Sequence, residues 1–195
     1  MSTLAYFDRL YEQADPFQYR SRWYEARKRA LTLACLSRQR YANAWELGCS
    51  NGVLTAELAT RCDSLLATDA SADALASAAA STAAWPQVTL QHAHHPEDWP
   101  DGRFDLIVVS EVGYYLAPKD VLQLASQVHR SLMAGGLLVA CHWRHAFDEA
   151  LSSAGQVHHA LSEGLVETFH YQDADLLLQG WSTDASSVAQ REGLR

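Results

Sequence analysis

The segment Glu46-Leu47-Gly48-Cys49-Ser50-Asn51-Gly52 joins a short apolar run to a helix-like one, and its residue types suit ligand binding. Gly48 can take backbone angles closed to other residues and lets the chain pass close to a ligand; Gly52 can do the same at the turn into the helix. Asp69 stands about 20 residues beyond Gly48, the spacing at which an acidic residue accepts hydrogen bonds from ribose hydroxyls. It also suits a helix start before SADALASA, where the macrodipole favours a carboxylate. The dinucleotide fingerprint G-x-G-x-x-G is absent, because Ser50 stands where its middle glycine would let the backbone approach a pyrophosphate. Glu46 would repel a pyrophosphate but suits a ligand carrying ammonium and sulfonium charges. Together these features point to S-adenosylmethionine (SAM), with S-adenosylhomocysteine as product, rather than to a nicotinamide cofactor. Cys49 in the loop, Ala70 after Asp69 and Ser110 further on complete this set of candidate contacts.

A second group falls after the apolar run FDLIVVS, in Ser110-Glu111-Val112-Gly113-Tyr114-Tyr115. Methyl transfer is an in-line displacement at carbon from a good leaving group, so alignment dominates; positioning of this kind supplies about 7–11 kcal/mol. For an amine acceptor, Glu111 can orient the nitrogen and attract its charged form, and a histidine can take the proton. His142, at the end of GLLVACHW, is the candidate base, and Trp143 with Arg144 the candidate pocket wall. Tyr114 or Tyr115 can stabilise a methylammonium or sulfonium by cation–π contact. Each has a plainer reading: the tyrosines as loop packing, Glu111 as a helix-start carboxylate, His142 as a partly buried structural histidine. His92, His94, His95 and His145 match no zinc signature, so no metal is expected. His158-His159 reads as helix surface.

The elements that must position these residues alternate. Two amphipathic helical stretches come first, about Leu4–Gln13 and Tyr19–Leu36, separated at Asp15-Pro16. In the second, Trp23, Ala26, Ala30 and Leu33 recur at helical spacing as the core side, with Arg22, Arg27, Lys28 and Arg29 as a solvated face. These helices, residues 1–38, are expected to form a lid, with Tyr19 and Tyr24 as either core or pocket lining. Strands are expected at about Ala42–Leu47, Ser64–Thr68, Val88–His92, Phe104–Ser110, Gly136–His142, Leu165–Tyr171 and Asp175–Trp181. Helices are expected between the early strands, and near Lys119–Leu132 and Gln156–Leu161. That order predicts one Rossmann-like α/β domain over 1–182, its seven-stranded sheet mostly parallel with an antiparallel pair at one edge. Residues 183–195 read as a flexible tail.

Composition narrows the partners. The chain has 195 residues and a formal net charge of −8, which argues against a nucleic-acid backbone as partner. Four scattered cysteines without a C-x-x-C pair suit free thiols in a reducing cytoplasm. No signal peptide or membrane span is evident. A cytoplasmic monomer or homodimer acting on a small molecule is expected.

ELGCSNG, LLATDAS, FDLIVVSEVGYYL and LMAGGLLVA occur in the order of the class I SAM methyltransferase motifs. YFDRLYEQADPFQYRSRWYEARKRA together with SEVGYYL resembles the nodulation protein S family. Members of that family are N-methyltransferases acting on the free amine of a de-N-acetylated chitooligosaccharide. The resemblance spans roughly residues 6 to 142. It implies that Gly48 and Gly52 line the cofactor, Glu46 sits near its methionine ammonium and Asp69 holds its ribose. The family usually offers an acidic residue just after the third strand for the adenine amino group. Here that stretch reads Gln91-His92-Ala93-His94-His95, with Glu97 and Asp98 only later, so backbone groups of Ala93 and His94 are the substitute candidates. The rivals are an O- or C-methyltransferase on another metabolite, a nicotinamide-dependent enzyme disfavoured by Ser50, and a non-catalytic SAM-binding module. No N/D-P-P-Y/W motif for nucleobases or amides is present.

Overall fold

Strands and helices alternate along the chain, as the apolar runs require. The computed structural model describes residues 9–11, 15–184 and 186–195, so most of the expected first helix lies outside the described residues. The order is α1 (Trp23–Ala34), β1 (Ala44–Leu47), α2 (Val53–Ala59), β2 (Leu65–Asp69), α3 (Ala72–Thr82), β3 (Val88–His92) and β4 (Phe104–Ser110). After a 3-10 turn at Gly113–Tyr115 follow α4 (Pro118–Ser131), β5 (Leu132–Trp143), α5 (Ala154–Ser162), β6 (Val166–Gln172), β7 (Leu176–Ser182) and α6 (Val188–Arg191).

The seven strands form one sheet in the order β3-β2-β1-β4-β5-β7-β6. The first five are parallel neighbours, whereas β7 runs against both β5 and β6, so the expected antiparallel pair closes one edge. Apolar side chains alternate between the sheet's faces, as pleating dictates. Trp45, Ile107, Val109, Leu138 and Ala140 pack towards α4 and α5. Ala44, Leu106, Val108, Leu137 and Val139 pack with Leu58 of α2 on the other face. In α4, Pro118 fits the first turn, where its missing N–H costs nothing, and Val121, Leu124, Ala125 and Val128 make the buried stripe. Ser71 caps α3 by accepting the Ala74 N–H at 3.2 Å. Among the described residues no helix is long and apolar enough to cross a membrane.

Four expectations need correction. Trp23 is not core but 76% exposed, at the first residue of α1. The buried stripe of that helix is polar: Glu25, Lys28, Arg29 and Thr32. Lys28 and Arg29 therefore do not sit on a solvated face; they turn inward because carboxylates meet them, Glu25 and Glu111 for Lys28, Glu57 for Arg29. His158 is also buried rather than on the helix surface, while its neighbour His159 is exposed. The segment read as a tail carries α6, opened by a Ser187–Gln190 capping box and tied back by Arg191 to Asp184 at 3.1 Å.

Candidate active site

Strands β1 to β4 point their C-terminal ends to one side, and the chain order reverses between β1 and β4. Ligands of open α/β sheets bind in the crevice at such a switch point. Here the crevice is a cavity of about 900 Å³, lined from β1 by Gly48 and Ser50, from β2 by Asp69 and Ala70, and from β4 by Ser110 and Glu111. Ala93 and His94 line it beyond β3, Tyr114 and Tyr115 beyond β4, and Trp143 at the end of β5. Cys49 borders a smaller adjoining space of about 40 Å³ together with Glu46. Gly52 lies just behind, opening α2 as a left-handed cap packed on Ala78.

The first loop is held by backbone shape. Gly48 has φ +68°, and a Cβ there would lie 2.4 Å from Val112 Cγ2, so only glycine fits. Ser50 also has positive φ, at 52°, and its N–H donates to Asp69 Oδ2 at 2.8 Å. The other oxygen of Asp69 accepts the Ser71 N–H at 2.9 Å. Burial raises the Asp69 pKa, opposed by those backbone donors. An ionised carboxylate has about four acceptor positions, so this one keeps capacity for ligand hydroxyls. Tyr11, from the N-terminal segment, donates to Ser50 Oγ at 2.6 Å, and Asn51 donates to Asp15 at 3.0 Å, drawing that segment onto the loop.

Glu46 is 2% exposed, and burial pushes its pKa up to about 8. Its Oε2 has no hydrogen-bond partner. A buried orphan carboxylate oxygen beside the backbone opened by Gly48 fits a cationic donor such as the amino group of SAM, which would supply both charge and hydrogen bonds.

The other half of the cavity is built from long side chains. Glu111 follows β4 with φ +57°, which turns its side chain towards β5 and α1. Its Oε1 accepts from Lys28 Nζ at 2.9 Å; its Oε2 accepts from the Trp143 N–H at 3.0 Å and from the Tyr114 hydroxyl. Lys28 also lies 2.8 Å from Glu25 Oε2, in an ion pair not aligned as a hydrogen bond. Its ammonium is 5.8 and 5.5 Å from the ring centroids of Tyr19 and Tyr24. Burial opposes that charge, but Glu111 and Glu25 outweigh it and hold the Lys28 pKa above its ordinary value. The Tyr24 ring stands edge-on to Trp143, and its buried hydroxyl has no partner.

One expected contact comes out differently. His142 does not wall the cavity. It is fully buried on the α5 side of the sheet, with Nε2 accepting the Gly113 N–H at 3.2 Å and Nδ1 2.9 Å from His158. Its position on β5 is as expected, but the pleat turns the side chain down into the core. At Ala93–His94 the His94 N–H is already donated to Asp98 Oδ2 at 2.8 Å and the His94 carbonyl accepts the Asp98 N–H at 2.7 Å. The His94 N–H is thus taken, but a carbonyl has two lone pairs, so backbone oxygens here keep acceptor capacity for an amino group; Glu97 also lines the cavity.

Sequence reasoning missed Glu25 and Lys28 as site residues and left Tyr19 and Tyr24 between core and pocket lining; both line the cavity. The available signal was the spacing of Glu25, Lys28, Arg29 and Thr32, which puts them on one helical face.

Sheet order and the glycine loop at the switch point are those of the class I Rossmann-like fold, and the chain is a SAM-dependent methyltransferase. Comparison with known proteins carries this to a family: the profile of nodulation protein S (NodS) matches residues 5–156, and the chain belongs to that family. A Pseudomonas syringae protein described as a methyltransferase is 43% identical, with TM-score 0.74, covering 83% of this chain and 99% of that one. The N-methyltransferase NodS from Bradyrhizobium japonicum WM9, solved with S-adenosyl-L-homocysteine, is 26% identical with TM-score 0.85, covering 93% and 98%. No curated protein gives a match.

Proposed function

We propose that this methyltransferase acts on the free amine of a small molecule, an amino sugar or oligosaccharide, with Glu111 as the residue that handles the acceptor nitrogen. The observation carrying this reading is the carboxylate–aromatic chamber at the far end of the cavity: Glu111 and Glu25 among Tyr19, Tyr24, Tyr114 and Trp143. Such a chamber attracts a cationic amine by charge and by ring faces. SAM, when bound, supplies a methyl carbon on a positively charged sulfur that leaves readily. Glu46 would hold its ammonium, Asp69 its ribose hydroxyls, and Gly48, Cys49, Ala70 and Ser110 the surfaces against which it lies.

Glu111 already accepts three hydrogen bonds, two of them on Oε2. One acceptor position therefore remains on Oε1, beside Lys28. An amine N–H donated there would leave the nitrogen lone pair directed away from Glu111, into the cavity. The nitrogen would gain the methyl group as the sulfur is released neutral, and the proton lost would be the N–H held by Glu111. The bonds from Lys28, Tyr114 and Trp143 fix Glu111 in place, so the site is pre-aligned, which is where most of the rate enhancement of such a displacement resides. The likeness to an enzyme described as an N-methyltransferase supports nitrogen as the acceptor atom.

The test is transfer of labelled methyl from SAM to matched chitooligosaccharides, one with a free non-reducing amine and one fully N-acetylated. Label on the free-amine sugar alone is the expected result. Tight S-adenosylhomocysteine binding with neither sugar labelled would overturn the amino-sugar assignment and leave the methyltransferase class standing.

A further inference from the structure

Beneath the Glu111–Tyr115 turn, a chain of polar groups crosses the core to the far surface. The Gly113 N–H meets His142 Nε2 at 3.2 Å, and His142 Nδ1 lies 2.9 Å from His158 Nε2. His158 Nδ1 lies 2.8 Å from Gln179 Oε1, whose amide nitrogen donates to Glu167 Oε2 at 2.7 Å on exposed β6. Both ends fix the direction. A backbone amide can only donate, so His142 Nε2 must accept and the ring proton sits on Nδ1. A carboxylate can only accept, so Gln179 turns its amide nitrogen to Glu167 and its oxygen to His158. Both histidines are neutral and each has a single tautomer. Burial lowers the pKa of both, that of His158 to about 4, so neither charges near neutrality.

The turn above is attached to three consecutive residues of β5. The Glu111 N–H donates to the Cys141 carbonyl at 2.9 Å, the Gly113 N–H to the His142 ring, and the Trp143 N–H to Glu111 Oε2 at 3.0 Å. The middle attachment is the only one of these three to which β5 contributes a side chain, and its strength depends on the tautomer that His158 enforces. A Cβ on Gly113 would come within 2.5 Å of Val157, so the turn sits directly on α5.

We propose that His142 and His158 are positioning residues, a tautomer-locked pair that fixes the turn so that Glu111 and Tyr114 face the acceptor. This rests on the reading of Glu111 given above. It makes His142 a support for the acceptor-handling carboxylate and not a base.

His142→Gln and His142→Asn separate the two ends of the ring. The glutamine amide reaches the Nε2 position and can still accept from Gly113; asparagine reaches only the Nδ1 position and keeps the link to His158. In the wild-type chain, nitrogen NMR should show His142 protonated on Nδ1, unchanged from pH 6 to 8. Amide exchange at Gly113 should be about tenfold faster in His142→Asn, the size of one lost hydrogen bond, and close to wild type in His142→Gln. With SAM and the free-amine chitooligosaccharide, kcat should fall by about the same factor in His142→Asn, with S-adenosylhomocysteine affinity and the shape of the pH profile preserved. A proton on Nε2, or equal Gly113 exchange in both variants, overturns the proposal. Wild-type protein that turns over no sugar defeats the amino-sugar reading alone, because tautomer and exchange still decide the relay. If His142→Asn does not fold, His158→Gln against His158→Leu poses the same contrast, since glutamine keeps an acceptor for the His142 Nδ1–H and leucine does not.

Discussion

The two halves of the cavity are built on different principles. The cofactor half is made of backbone and short side chains at consecutive strand ends: Gly48 and Ser50 with positive φ, and Asp69 bridging two loops through their N–H groups. The acceptor half is made of long charged and aromatic side chains converging from α1, the turn after β4, and β5. On the proposed reading, the first half would bind the cofactor through a fixed shape that every turnover reuses. The second is a network of paired charges, where each member depends on the others. The first should therefore lose affinity in small steps when altered, and the second should fail cooperatively.

The largest expected effect falls in the charged network. Lys28→Met leaves Glu25 and Glu111 buried without their cation, and removing one partner of a buried pair costs about 3–5 kcal/mol. Denaturant unfolding should show that loss; a stability within error of wild type would mean the two carboxylates relax to solvent and the network is not cooperative.

Next comes Glu111→Gln, which removes the charge and one acceptor oxygen. Turnover should drop about 10²-fold, while calorimetric affinity for S-adenosylhomocysteine changes little. Equal loss of both would move Glu111 to the cofactor half and dissolve the contrast.

Asp69→Ala should weaken S-adenosylhomocysteine binding by about 1–3 kcal/mol, measured by the same calorimetry. Unchanged affinity would take Asp69 out of the binding surface and leave it only the loop-bridging role seen in its contacts with Ser50 and Ser71.

A last prediction, read as a pH dependence, concerns Glu46. Its carboxyl holds a proton up to about pH 8 in the folded chain, against an ordinary 4.5. The folded state thus binds more protons across that window, so the associated stability is complete below about pH 4.5 and is lost as pH rises towards 8. Thermal unfolding of ligand-free protein should show this decline, and Glu46→Gln should lack it. A cation bound beside Glu46 favours its ionised form, so S-adenosylhomocysteine binding at pH 7 should release a proton that the glutamine variant does not.

The strand–helix order was legible because each element is local: β4 is a continuous apolar run, and it proves buried almost throughout. The glycine loop and Asp69 were legible for the same reason, since a strand end, a turn and a helix start are neighbours in the chain. Glu111, Tyr114 and Trp143 were found as positions following strands, without their partners. His142 was found on the right strand but on the wrong side, because the sequence alternation around it is apolar on both faces and carries no sign of which face looks to the cavity. Helix α1 misled most. Its small and apolar residues repeat at helical spacing, yet its charged stripe is the one turned inward.

Sequence alone determined the alternating α/β architecture and the cofactor loop, because backbone conformation, pleat and turn chemistry act over a few residues. Only the tertiary structure decided how the acceptor chamber is charged and which histidine is core. A buried Lys28 is tolerable solely when Glu25 and Glu111 stand within about 3 Å of it, and the nearness of Glu111, 83 positions along the chain, exists only after the sheet and helix have packed.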